Sequence, residues 1–94
     1  MEERMRDKPR IYADFQCLDD RGRVRLDRRG THDDLRRLGI VLREGMAVTF
    51  YMDDADSSGK SDDLEVDGIV RFDSAEECWV GEFDRSRFRH ASDR

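Results

Sequence analysis

Six oxygen donors at fixed spacing are the most chemically suggestive feature of the sequence: Asp54, Asp56, Ser58, the backbone carbonyl of Lys60, Asp62 and Glu65. They fall at positions 1, 3, 5, 7, 9 and 12 of a twelve-residue stretch inside DDADSSGKSDDLE, with Gly59 at position 6. Calcium is a hard cation that takes six to eight oxygens, and a loop this short supplies them only if ligands recur at alternate positions around a glycine-permitted turn. The spacing therefore predicts a calcium site, with Asp62 binding directly or through water and Glu65 through both oxygens. The competing reading is a solvated acidic hairpin loop whose charge discourages edge-to-edge strand pairing.

Over these residues the chain resembles the calcium loop of the EF-hand family. Position 8 is Ser61, where that family usually has an apolar residue, and the flanks read as strands where it has helices. Without a helix to fix Glu65, the resemblance implies a weak site, with a dissociation constant on the order of 10⁻⁴ to 10⁻³ M.

Arginines form the second constellation. Arg6 and Arg10 have R-x-x-x-R spacing, and DLRRLG supplies Asp34 and Gly39 of a D-x-S-x-x-G pattern in which Arg36 replaces the serine. These segments, followed by GMAVTFYM, LEVDGIVRF and CWVGEF, resemble PilZ domains, bacterial barrels that bind cyclic di-GMP. The resemblance implies a degenerate dinucleotide site at Arg6, Arg10, Asp34 and Gly39, since guanidinium pairs suit phosphates and guanine edges. A further stripe of Arg21, Arg23, Arg25, Arg28, Arg29, Arg36 and Arg37 has phosphate-binding chemistry, but Asp27, Asp33 and Asp34 interrupt it and no aromatic stacking platform accompanies it. Nucleic acid is therefore not the expected partner. His32 and His90 lie in a helix start and a charged tail, and no nucleophile elbow, zinc spacing or phosphate-binding glycine loop occurs, so no enzyme is expected.

The elements that position these groups read as strands. RIYADFQCL alternates Ile11, Ala13, Phe15 and Cys17 against polar residues, and RVRL turns Val24 and Leu26 inward after the turn DDRG, which predicts a hairpin. Thr31 is the expected cap of a short helix carrying Leu35 and Leu38 on one face and stopped by Gly39. Met46, Val48, Phe50 and Met52 form the apolar face of a third strand. Leu64, Val66, Val70 and Phe72 form that of a fourth, with Gly68 permitting a bend, and CWVGEF is a fifth. Phe88 is placed to fold back on the barrel. The predicted fold is mainly β: a small, partly open five-stranded barrel, SH3-like or PilZ-like, with one short helix. Phe15, Val24, Phe50, Val70 and Trp79 should meet in its core.

Composition bounds the rest. Ninety-four residues suit a single domain, read as a barrel over 10–90 between a charged, flexible 1–9 and a tail at 91–94. Charged residues make up 44% and the net charge is −5, so the apolar residues must be used economically. Residues 53–67 carry seven acids against Lys60, and this stretch sets the sign of the molecule. No segment has the roughly 20 apolar residues of a membrane span and the start does not read as a signal peptide, which predicts a cytoplasmic protein away from membranes. Cys17 and Cys78 fall in apolar-rich runs and should be buried free thiols. The run from IYADF through GRVRL, LREGM and ECWV to RH also resembles a family of small uncharacterised bacterial proteins, which implies a bacterial source and a compact β-rich domain but no activity. Together these readings give a non-enzymatic binding or interaction module with a protein as partner and no cofactor expected, calcium being the one candidate. The two alternatives are the calcium module and the cyclic di-GMP binder.

Overall fold

A computed structural model describes residues 8–54 and 58–93. It is a mainly β domain in which a six-stranded sheet curls into a half-barrel beside one short helix. The strands are β1 (Arg10–Tyr12), β2 (Val24–Arg25), β3 (Ala47–Met52), β4 (Leu64–Asp73), β5 (Cys78–Phe83) and β6 (Arg89–His90), and the helix α1 is Arg29–Leu38. Sheet order is β1-β3-β4-β5-β2, with β6 pairing the start of β4. β1 lies parallel to β3, and the other pairings are antiparallel.

Period-two alternation sends Val48 and Phe50 of β3, and Val66 and Val70 of β4, into the concave face, where all four have no exposed surface. Ile11, Ala13, Val24 and Leu26 join them, and Phe15, Trp79, Phe83 and Phe88 pack around the margin. The five residues predicted to meet do so, and Met46 to Met52 is not helical. Phe88 does fold back, edge-on to Phe15 and Phe83. Two glycines on neighbouring strands seat the Phe50 ring. A Cβ at Gly81 would strike its Cζ and Cε2, and one at Gly68 would strike Cε2 and the carbonyl oxygen of Glu82. Gly68 thus makes room for an aromatic core residue, beyond the bend expected of it.

Several local expectations are corrected. The hairpin is not made by β1 and β2, which lie at opposite ends of the sheet; the DDRG turn is closed by a Leu18–Val24 bridge and by Asp19 N donating to Arg23 O. β1 ends at Tyr12 because Asp14 starts a turn, accepting from Gln16 N through its side chain and from Cys17 N through its carbonyl. The alternation breaks there, so Cys17 is exposed, while Cys78 is half-buried; both are free thiols. Phe72 and Leu38 are 44% and 41% exposed, the first at the rim of the sheet and the second at the end of the helix. The helix begins earlier than expected, with Arg28 at its N-cap, and Gly39 closes it in the left-handed conformation as predicted.

Candidate functional site

Thr31 has a role other than capping. One turn apart on the same helix face, Thr31 and Asp34 reach the backbone of Tyr12. Thr31 Oγ1 donates to Tyr12 O at 2.6 Å, and Tyr12 N donates to Asp34 Oδ2 at 3.0 Å. The two side chains do for the outer edge of β1 what a neighbouring strand would do. Both residues are buried, which a helix tolerates only because their polar atoms are satisfied.

Asp34 also accepts from Tyr51 Oη at 2.6 Å and from Arg37 Nη2 at 2.9 Å. Burial alone would raise its pKa, but the hydrogen bonds from Tyr51, Arg37 and Tyr12 outweigh it and hold the carboxyl below its ordinary value. The reciprocal effect falls on Tyr51. Burial first, then the bond to Asp34 and its negative charge, push the phenol to about 12, so it stays a donor. The Arg10 guanidinium lies 4.3 Å from the centre of the Tyr51 ring, a cation–π contact.

Arg10 in turn donates through Nε to Glu65 Oε2 at 2.9 Å and through Nη2 to Asp63 Oδ2 at 3.2 Å. Glu65 has no exposed surface, and its Oε1 lies 3.4 Å from Arg89 Nη2. Arg89 continues to Asp67, which accepts from Thr49 Oγ1. Sheet register explains this belt: Tyr12, Tyr51 and Glu65 are partners on three adjacent strands and so share the convex face. Beside it Pro9, Arg10, Arg37, Leu38, Ile40 and Tyr51 line an open groove of about 430 Å³. A hollow of about 360 Å³ at the other end of the sheet is occupied by its own ion pairs, with Arg23 bound to both Asp19 and Asp73 and Arg25 to Glu76. The arginine stripe read from the sequence is therefore largely matched by acids of the same molecule.

Of the dinucleotide residues, Arg10 and Asp34 meet through Tyr51, and Gly39 lies between the groove residues Leu38 and Ile40. Arg6 lies outside the described residues. Of the metal residues, Asp56 likewise lies outside them. Asp54 Oδ2 is 3.0 Å from His90 Nε2, and Asp62 accepts from Ser92 N and Oγ. Ser58 and Lys60 are exposed at the turn, while Glu65 is drawn into β4 between two guanidinium groups. Among the described residues, no group of three or more His, Cys, Asp or Glu side chains is arranged to hold a metal. Residues read as a tail form a short 3-10 turn, Ala91–Asp93, held to the loop by Ala91 N donating to Asp63 O as well as by Ser92.

Tyr51, Leu38 and Ile40 were not among the predicted site residues, and Arg37 was singled out only as part of the arginine stripe. The sequence signal for Tyr51 was a bulky aromatic on the outward face of a strand, which requires something to cover it. No family model, curated protein or solved structure matches the chain. The fold and site define a small β half-barrel whose polar belt underlies a mixed arginine and aliphatic groove. No helix among the described residues is long and apolar enough to cross a membrane.

Proposed function

We propose that this chain is a non-enzymatic binding module of a bacterial cytoplasm that engages a partner protein through the Tyr51 groove. The observation that carries this reading is the composition of the groove: Arg10 and Arg37 beside an apolar surface of Pro9, Leu38, Ile40 and the Tyr51 ring. Apolar surface with a few oriented polar groups is the usual make-up of a binding site. The belt beneath it, from Asp34 to Asp67, holds Tyr51 and Arg10 in place before a partner arrives, which lowers the entropy cost of binding.

Cyclic di-GMP in the same groove is the second reading, favoured by the convergence of Arg10 and Asp34 on Tyr51. Calcium at 54–65 is the third, and draws support from the acid density of that loop alone. An amide NMR titration with a peptide, cyclic di-GMP and calcium separates them. The first two readings require shifts at 10, 37–40 and 51, and the third at 54–65. Shifts confined to 21–29 with an oligonucleotide would sink all three.

A further inference from the structure

We infer that the occupant of the Tyr51 groove is an acidic, amphipathic segment of another protein, seating an apolar side chain on Leu38, Ile40 and Tyr51 and a carboxylate on Arg37. This rests on the binding-module reading and names its ligand class.

Charge supplies the first argument. Among the residues that line the groove, Arg10 and Arg37 are cations and none is an acid, in a chain of net charge −5. The same lining holds Leu38, a large aliphatic residue left 41% exposed, beside Ile40. A local surface that is both cationic and apolar complements a segment that is both anionic and apolar.

Donor geometry supplies the second. Arg37 spends Nη2 on Asp34, and its side chain is 64% exposed. Among the described residues its Nε and Nη1 have no protein acceptor, and neither has Nη1 of Arg10. A planar fork with unused N–H groups beside an aliphatic floor matches a carboxylate at the end of a short side chain.

Repulsion supplies the third, and it selects among anions. Asp63 and Glu65 flank Arg10, and Asp34 lies behind Arg37. A multiply charged phosphate ligand meets more repulsion from these three carboxylates than a single carboxylate does. An anionic membrane would need a flat basic face, but on the outer side of α1 Asp33 lies among Arg29, His32 and Arg36, 4.0 Å from Arg36.

The test uses the full chain and fluorescence anisotropy with labelled hexapeptides alternating Asp with Leu, Asp with Ser, and Lys with Leu, each binder then mapped by amide NMR. The Asp/Leu peptide should bind saturably at 10, 37–40 and 51, and the other two about tenfold or more weaker. Leu38→Asp should weaken binding about tenfold while the amide spectrum away from 37–40 stays that of the folded parent, since a modest loss at the helix end does not unfold the sheet. Arg25→Gln, at the far end of the sheet, should leave binding as it is. Equal binding of the Asp/Ser peptide would overturn the inference, as would binding to phosphatidylglycerol vesicles with the peptides ignored. Binding of the Lys/Leu peptide in place of the Asp/Leu peptide would overturn it and leave the partner-protein reading standing, whereas cyclic di-GMP bound in the groove with no peptide binding would overturn both in favour of the dinucleotide reading. Groove amides unmoved by every probe would overturn both.

Discussion

Replacing Asp34 with alanine removes the acceptor of three donors at once: Tyr12 N, Tyr51 Oη and Arg37 Nη2. Arg37 is exposed and will find water. Tyr12 N–H and Tyr51 Oη sit against a carboxylate that is only 7% exposed, and they lose their acceptor in a confined space. A hydrogen bond to a charged group contributes ~1.5 to 3 kcal/mol, and a buried donor left unmade costs ~1 to 3 kcal/mol. Because the three bonds act as a unit, the loss is smaller than their sum, and ~3 to 5 kcal/mol is the expected cost. A domain of this size has only ~5 to 14 kcal/mol to lose. Urea unfolding at pH 7 should show the drop, with Asp34→Asn intermediate because its amide oxygen still accepts one bond. The same carboxyl gives a pH signature. Its folded pKa lies below the ordinary value near 3.8, so its stabilisation is complete above that value and is lost as pH falls through the folded pKa. Asp34→Asn should flatten the acid limb of the stability curve. It should also bring the Tyr51 phenol down from about 12 in an ultraviolet titration. An Asp34→Ala protein within ~1 kcal/mol of the parent would refute the view that this residue fastens helix to sheet.

Gly81→Ala should cost ~1 to 3 kcal/mol or more by overpacking against Phe50, and Phe50→Ala ~3 to 5 kcal/mol by leaving a cavity; unfolding curves matching the parent would contradict the glycine-seated ring. A thiol reagent should modify exposed Cys17 quickly and Cys78 slowly, because Cys78 is half-buried and burial raises its pKa; two equal rates would contradict that difference in burial, and no reaction would contradict the free-thiol assignment. Millimolar calcium should raise the melting temperature little, because Glu65 is engaged by Arg10 and Arg89; a calorimetric dissociation constant tighter than ~10 μM would overturn that expectation.

The strands were legible because alternation of Val48 with Phe50, and of Val66 with Val70, reports a buried face directly. Their partners were not, since a period of two marks faces and says nothing of neighbours. Nothing local to RIY indicates that it runs parallel to AVTFYM rather than folding back on RVRL. The same limit hid the site. Arg10 and Asp34 could be singled out from spacing, but Tyr51, which joins them, gains its role from the register that sets it between Tyr12 and Glu65. Glu65 shows the converse. Its loop position suggested a ligand, whereas β4 begins at Leu64 and alternation turns its side chain toward Arg10. Thr31 looked like a cap because threonine before a helical run usually is one; here the missing edge partner of Tyr12 takes its hydroxyl instead.

The central claim is that the Tyr51 groove is where this module binds, and amide NMR on the full chain tests it most directly. Titration with the alternating Asp/Leu peptide should move 10, 37–40 and 51 and leave 19–25 and 73–80 unchanged, with saturation that weakens as salt is added. Shifts centred on the Arg23–Asp73 hollow or on 54–65, with the groove amides fixed, would contradict it.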